Sequence, residues 1–213
     1  MSAPNAGGDL WPLVLFLFFW AATCIDPPYP HELLLQHVPT TAAVVALVGL
    51  RRRLALSRGG GRLVLAFLAL HTVGARYLYS YVPYDDWSAA VFGGSLSSVC
   101  GFTRNHYDRL VHFAYGLLLF FPAREVFVRR FRQTDLAADV LAMQFILATS
   151  ALYELVEWSV ALWFAPDWAE RYNGQQGDTW DAQKDMGLAA LGAAVAMFGH
   201  VSFHRDRPDR TAV

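Results

Sequence analysis

Residues 106–127 read HYDRLVHFAYGLLLFFPAREVF, and this stretch decides the fold. Its first part carries His, Asp and Arg, whereas the run 113–122 has no charged side chain. Crossing a hydrocarbon layer about 30 Å thick takes about 20 residues of helix at about 1.5 Å per residue. The stretch therefore predicts a transmembrane helix with one polar and one apolar half.

Apolar stretches of similar length recur along the whole chain. Hydrophobic residues make up 55% of the sequence, charged residues are 16% against about 25% in soluble domains, and the mean hydropathy is +0.28. We predict an all-α, polytopic membrane bundle that forms one domain over residues 1–213. The expected transmembrane helices are six, at about 11–24, 33–50, 62–81, 106–127, 136–164 and 181–203.

The positive charges indicate the orientation of the bundle. Arginines cluster at 51–53, 129–132 and 205–210, which are alternate ends of the predicted spans. Basic residues beside a span are retained in the cytoplasm, so both termini are expected there. The formal net charge of -1, without a long basic run, excludes a nucleic-acid partner and leaves the lipid bilayer as the expected surroundings.

Ionisable residues of five predicted spans lie at one depth in the outer leaflet. His112 is 12 residues from Arg124, about 18 Å along the helix, and Glu154 is 15 residues from Asp139, about 22 Å. Because an unpaired charge in hydrocarbon is costly, such groups should face the bundle interior. We therefore predict a polar pocket that opens outward.

The spacing of these residues indicates which groups share a helical face, and their charges indicate what the pocket must bind to be neutral. Asp108 and His112 share a helical face as an i,i+4 pair, and Glu154 and Glu157 do so as an i,i+3 pair. Carboxylates outnumber cations by two, which a divalent cation or protons would balance. The groups counted are Asp108, Glu154, Glu157, Asp181 and Asp185 against Arg76, Arg109 and Lys184.

Imidazole and carboxylate groups on facing helices are typical of metal sites in helical bundles. The candidate ligands are His112, Glu154 and Asp185, with Asp181 and His106 as further candidates. Mixed nitrogen and oxygen ligands favour Zn, Mn or Fe as the divalent metal.

If the protein is an enzyme, the chemistry that this site favours is metal-assisted hydrolysis or group transfer on a lipid or envelope substrate. Asp108 would orient His112, and Glu157 would act as general base. Arg76 or Arg109 would hold an anionic group of the substrate.

Two other hypotheses stay open at this point. In the first, Arg76, Arg109 and Lys184 neutralise the carboxylates as structural ion pairs of a non-catalytic membrane factor. In the second, the pocket belongs to a transporter of protons or a small solute, although only His71 and Gln144 offer polar groups at mid-depth. A homo-oligomer is compatible with the small residues of the last span, and pairing of Cys24 with Cys100 is also undecided.

Several motifs resemble those of the YjdF-like family of bacterial inner-membrane proteins, which has no established activity. They are HTVGARYLYSYVPY at 71–84, NHYDRLVHFAYGLLL at 105–119, ALYELVEW at 151–158 and GDTWDAQKDMGLAALGA at 177–193. The resemblance extends from about His31 to Phe203 and implies a multi-pass protein of the inner membrane.

A more distant resemblance connects Asp108-Arg109-x-x-His112 with the D-K-x-x-H pattern of VanZ-type membrane proteins. Arg109 replaces the Lys of that pattern, and Glu157 stands at the position of its Gln. The resemblance implies at most a role at the cell envelope, with Asp108, His112, Glu154 and Asp185 as the corresponding residues.

Overall fold

The computed structural model describes residues 10–50, 52–163 and 175–205, with side chains described up to residue 202. Every regular element within these ranges is an α-helix. The helices are α1 (Trp11–Thr23), α2 (Pro30–Leu50), α3 (Arg58–Arg76), α4 (Tyr84–Phe92), α5 (Leu96–Cys100), α6 (Tyr107–Arg129), α7 (Asp135–Trp163) and α8 (Asp181–Arg205).

Four of these helices are long and apolar enough to cross a membrane: α2, α6, α7 and the part of α8 from Asp181 to Ser202. The prediction of a helical membrane protein is thus confirmed, whereas the count of six spans stays a prediction. Helix α1 has 13 residues and covers only about 20 Å. Helix α3 carries Arg58, Arg62 and Arg76 along its 19 residues.

The third predicted span ends earlier than expected, at Arg76 instead of Tyr81. Leu78 and Tyr79 adopt left-handed backbone conformations, with φ of 49° and 55°, and these terminate the helix. The Tyr79 ring folds back over Gly74, where a Cβ would overlap the ring. The Tyr79 hydroxyl then reaches His71 Nδ1 at 2.5 Å.

The connection between α3 and α6 contains two short helices that the sequence analysis did not predict. We call the end of the bundle that carries this connection the outer end, after the predicted orientation, and the opposite end the inner end. Asp85, in the first turn of α4, accepts a hydrogen bond from the Ser97 backbone amide at 2.8 Å, which ties α4 to α5. Hydrogen bonds from the Ser97 amide and hydroxyl lower the pKa of Asp85. Positive-φ glycines at 93 and 101 terminate α4 and α5.

Helices α6 and α8 pack at backbone contact, which is the closest helix pairing among the described elements. A Cβ on Gly116 would collide with the Ala189 carbonyl oxygen, and one on Gly192 would collide with the Phe113 carbonyl oxygen. Small residues permit such close approach between membrane helices. The small residues of the last helix therefore pack within the same chain, at least along this stretch.

The remaining long helices pack around α6 either directly or through α3. Helix α7 packs on α6 and α8, α3 packs on the other side of α6, and both α1 and α2 pack on α3. The contact of α3 with α6 includes the Phe67 and Tyr115 rings, 5.3 Å apart. The Tyr107 hydroxyl donates to the Leu70 carbonyl at 3.0 Å.

Ion pairs at the inner ends of α6 and α7 support the depth scale used above. Arg124 contacts Asp139 at 2.5 Å and Asp135 at 2.6 Å, so the two reference residues lie at one level. Of the positions that entered the predictions, Arg51, Phe164 and the arginines beyond residue 205 lie outside the described residues.

Candidate functional site

Three buried side chains from α6 and α8 meet in the outer half of the bundle. Asp108, His112 and Asp185 each place one ligand atom within 4.8 Å of the others. Their exposed fractions are 8%, 8% and 2%. The His112 Nε2 atom lies 3.5 Å from Asp108 Oδ1.

Helix α7 adds two glutamates to this group. Glu154 Oε1 lies 3.9 Å from His112 Nε2. The Glu157 carboxyl group lies beside Glu154 and Tyr153. We call Asp108, His112, Glu154, Glu157 and Asp185 the His112 cluster.

The glycine contact between α6 and α8 explains why the His112 cluster forms. His112 lies one helical turn outward of Gly116, and Asp185 lies one turn outward of Ala189. Because Gly116 sits directly against Ala189, the side chains one turn above them are brought together. Glu154 joins from α7, which packs on both helices.

Two carboxylate oxygens of the cluster are buried without a hydrogen-bond partner, Glu154 Oε1 and Asp185 Oδ1. Among the described residues, no ion pair connects the four carboxylates of the cluster to an Arg or a Lys. Buried carboxylates that lack a compensating cation are expensive, so the cluster needs bound cations or protons.

Two of the three cations that the sequence analysis assigned to these acids, Arg109 and Lys184, lie in a separate layer at the outer ends of α6 and α8. Arg104 contacts Asp181 at 2.7 Å, Arg109 contacts Asp178 at 2.6 Å, and Lys184 contacts Asp178 at 2.5 Å. We call these five residues the ion-pair layer. Asp181, predicted as a metal ligand, belongs to this layer and not to the His112 cluster.

Asp178 is the centre of the ion-pair layer. The Lys184 ammonium and the Trp180 backbone amide donate hydrogen bonds to it, and with Arg109 nearby they lower the pKa of Asp178 to about 2. Arg109 is only partly satisfied, because its Nε is buried without a partner. The layer therefore leaves one guanidinium N–H available close to the His112 cluster.

His106, another predicted ligand, lies at the N-cap of α6, away from the cluster. Its ring lies 4.3 Å from the Phe102 ring, and its Nδ1 is 3.4 Å from Arg109. Partial burial, with the positive charges of Arg109 and Arg104 nearby, lowers the pKa of His106.

Arg76 is also placed apart from the cluster. Its guanidinium donates to the carbonyl oxygens of Thr23 at 2.6 Å, Ile25 at 2.8 Å and Asp26 at 3.1 Å. These acceptors lie at the last residue of α1 and just after it, where a cation is favoured by the exposed helix carbonyls. In this position Arg76 holds α1 against the end of α3.

Both cysteines are free thiols in the structure, and both are exposed. Cys24 Sγ lies 3.3 Å from His37 Nε2, and the Trp20 indole N–H donates to His37 Nδ1 at 3.0 Å. His37 is thus engaged with α1 and does not contribute to the His112 cluster.

A cavity of about 270 Å³ adjoins the cluster. Asp108 and His112 form part of its wall, and mostly apolar side chains of α2, α3, α6 and α7 form the rest. The buried Ser150 hydroxyl, at 3% exposure, faces this cavity and has no hydrogen-bond partner. A cavity with one polar end and apolar walls is typical of a binding site for an amphiphilic molecule.

Sequence reasoning did not identify Arg104 and Ser150 as parts of the site. Both lie four residues from predicted site residues, Arg104 before Asp108 and Ser150 before Glu154. Extension of the i,i+4 spacing by one turn of α7 would have found Ser150, whereas Arg104 precedes α6 and no helical spacing points to it.

These features define an integral membrane protein with a buried cluster of carboxylates and one histidine in its bundle. The chain belongs to the family described as Predicted membrane protein (DUF2238), whose model matches residues 9–206. It is 35% identical over 173 residues to Inner membrane protein YjdF of Escherichia coli (strain K12), which covers 80% of this chain and 78% of that protein.

No solved structure matches the chain. The comparisons confirm the predicted resemblance to YjdF-like proteins and the location in the inner membrane as a multi-pass protein. The more distant resemblance to VanZ-type proteins stays a prediction.

Proposed function

We propose that the His112 cluster binds one divalent transition metal and uses it for hydrolysis or group transfer on a lipid or envelope substrate. The observation that carries the proposal is the convergence of one imidazole and two carboxylates within 4.8 Å. Ligand atoms about 2.1 Å from a tetrahedral metal lie about 3.4 Å from one another. A small contraction of the cluster would reach that geometry.

The donor set and its surroundings fit this proposal. His112 offers a neutral nitrogen ligand, while Asp108 and Asp185 would neutralise the metal charge. Glu154 is the fourth candidate, because its Oε1 is near His112 and lacks a partner. Asp108, which the sequence analysis expected only to orient His112, is therefore proposed as a ligand.

Roles for the neighbouring groups follow from their positions. A bound transition metal polarises a carbonyl or phosphoryl oxygen and lowers the pKa of a bound water. Glu157, which lies beside Glu154, is positioned to accept a proton at the edge of the cluster. Arg109 can hold an anionic group with its unpartnered Nε–H, whereas Arg76 is committed to α1.

We further infer that the bundle has six membrane-embedded helices with both termini in the cytoplasm. Helix α1 exposes large apolar side chains such as Leu15 and Phe18, which suits contact with lipid. Helix α3 buries Leu65 and Leu68 against it. The short helix α1 and the charged helix α3 are thus inferred to belong to the same bundle as α2, α6, α7 and α8.

A structural role in a non-catalytic membrane factor is the second candidate, and the ion-pair layer favours it for the outermost residues. Asp178 and Asp181 are paired with arginines there, as interhelical ion pairs would require. The structural hypothesis does not explain the His112 cluster, because its carboxylates form no ion pair with an Arg or a Lys in the described part of the chain. Transport of protons or a solute stays a prediction.

Metal analysis of protein purified in detergent tests the proposal. We expect about one Zn, Mn or Fe per chain, and loss of at least about tenfold in affinity in His112→Ala and Asp185→Asn, since each removes one ligand. Asp181→Asn and His106→Ala are matched controls, because both residues lie outside the cluster, and they should retain the metal. Absence of a transition metal from every preparation, after reloading, would contradict the proposal.

A further inference from the structure

The cavity beside the His112 cluster runs along α6 toward the middle of the bilayer. Its wall on α6 extends from Asp108 to Leu119, which is about 16 Å of helix. The polar end lies at Asp108 and His112, and the side chains of Phe67, Leu68 and Leu119 line the deeper part. Its long axis therefore follows the direction in which lipid chains lie.

The two outer walls of the cavity do not close on each other. Pro39, Thr40 and Ala43 of α2 form one wall, and Thr149, Ser150 and Tyr153 of α7 form the other. Helix α2 packs on α3 and α7 packs on α6 and α8, with no packing interface between α2 and α7 among the described residues. The space between α2 and α7 is therefore the route into the cavity that extensive helix packing does not block.

Pro39 contributes to this gap. Pro39 lies inside α2 and has no backbone N–H to donate to the preceding turn. The missing hydrogen bond weakens the helix at the height of the cavity. Thr40 and His71, next to it, are buried. The wall on this side therefore includes a turn of α2 that lacks one backbone hydrogen bond.

We propose that the cavity binds one acyl chain of a membrane phospholipid, which enters between α2 and α7 and leaves the polar end of the lipid at the His112 cluster. This inference rests on the proposed function and names its substrate class. An apolar cavity of about 150 Å³ already binds benzene, and a volume of about 270 Å³ accommodates a longer hydrocarbon segment. Bilayer lipid is the most abundant hydrocarbon at this opening.

Polar groups along the cavity match the polar parts of such a lipid. The unpartnered Ser150 hydroxyl lies one turn inward of Glu154, where it can donate to an ester carbonyl. The cluster itself, with the Arg109 Nε–H near it, lies at the level of the phosphate. The scissile bond of the lipid would then be adjacent to the proposed metal ligands.

The test uses the full chain in vesicles of phosphatidylethanolamine and phosphatidylglycerol. A small fraction of the phosphatidylglycerol carries a diazirine near the end of one acyl chain, and cross-linked peptides are mapped after photolysis by mass spectrometry. We expect cross-links at Leu119 and Thr149 in the cavity. Cross-links confined to outward-facing residues such as Leu152 would overturn the proposal.

A matched pair of variants on α2 distinguishes lipid bound in the cavity from lipid on the outer surface of the bundle. Ala43 lines the cavity, whereas the adjacent Ala42 is exposed on the outside of the helix. Ala43→Trp should reduce cavity cross-links at least about tenfold, which corresponds to the loss of about two buried methylene groups. Ala42→Trp should leave them unchanged, and equal cross-linking in both variants would overturn the proposal.

The same variants distinguish failure of this inference from failure of the proposed function. Ala43→Trp should still bind metal, because Ala43 lines the cavity and lies outside the His112 cluster. Where Ala43→Trp does not fold, Thr149→Trp on the α7 wall replaces it, with the exposed Ala148→Trp as its control. If the wild type and these variants bind metal but show no cross-links in the cavity, the lipid site is contradicted and the metal site is not.

Discussion

Asp181 and Asp185 show what decides the role of a single residue in this site. They share one face of α8, and both are buried. Asp181, one turn further out, meets Arg104 at 2.7 Å, while Asp185 meets His112 and Asp108. Sequence spacing predicted the shared face correctly, but the partner of each residue depends on which helix lies opposite, and that is set by tertiary packing.

The two arginines that the sequence analysis proposed as anion-binding groups illustrate the same limit. Arg76 and Arg109 lie at similar predicted depths, yet only Arg109 lies close to the acids. Arg76 ends α3 beside the last turn of α1, and its guanidinium is used on backbone carbonyls. Depth can be counted from sequence, whereas the direction of a side chain around the helix axis relative to its neighbours cannot.

The Asp178 ion pairs predict a pH dependence that belongs to one residue. Asp178 has a folded pKa of about 2, below the ordinary value of 3.8, so its contribution to stability is complete above pH 3.8. That contribution is lost as the pH falls from 3.8 toward 2. Asp178→Asn should therefore lower the thermal unfolding midpoint by the same amount at pH 7 and pH 5, and the difference should shrink below pH 4.

Thermal unfolding in detergent, followed by circular dichroism from pH 7 to pH 3, measures this difference. Asp86→Asn is a suitable control, because Asp86 is an acidic residue of the same outer side that takes no part in the ion-pair layer. A constant difference down to pH 3 would show that Asp178 does not act through its charge.

At the scale of the element, the stretch 106–127 was informative because its composition changes along its length. The polar first half predicted the site, and the apolar second half predicted the span, which the structure has as α6 from Tyr107 to Arg129. The left-handed turn at Leu78 and Tyr79 was not predictable in the same way, because neither residue favours positive φ. The Tyr79 contacts with Gly74 and His71 accompany it, and they become visible only in the folded chain.

The contact between α6 and α8 gives a prediction at this scale. Gly116→Ala places a methyl group against the Ala189 carbonyl, so the helices must separate. Overpacking of this kind costs about 1–3 kcal/mol, and the unfolding midpoint should fall by at least about 3 °C. Metal affinity should fall as well, since His112 and Asp185 are carried on the two separated helices.

Gly187→Ala is the matched control for this prediction. Gly187 lies on α8, and a Cβ there would meet no atom within 4 Å. Because Ala is a better helix former than Gly by about 1 kcal/mol, this variant should be as stable as the wild type or slightly more stable. Equal behaviour of Gly116→Ala and Gly187→Ala would show that the close contact does not position the site.

For the whole molecule, the structure separates three polar systems that the sequence presented as one stratum. The ion-pair layer lies at the outer ends of α6 and α8, the His112 cluster lies beneath it, and Arg76 belongs to the contact between α1 and α3. This division supports different hypotheses for the two layers, structural ion pairs for the outer one and the proposed metal site for the deeper one. Cations satisfy the outermost acids, while the deeper acids retain the unpartnered oxygens that a metal would require.

The predicted orientation of the whole molecule can be tested with its two native cysteines. Cys24 and Cys100 are free and exposed, and both belong to the side that carries the predicted outer loops. With both termini in the cytoplasm, a membrane-impermeant maleimide added to intact spheroplasts should label the remaining thiol of Cys24→Ser and of Cys100→Ser. The extent of labelling should equal that seen after the membrane is permeabilised. The double variant Cys24→Ser, Cys100→Ser is the background control. Labelling that requires permeabilisation would place these loops in the cytoplasm, and the ion-pair layer and the opening of the cluster would then face inward.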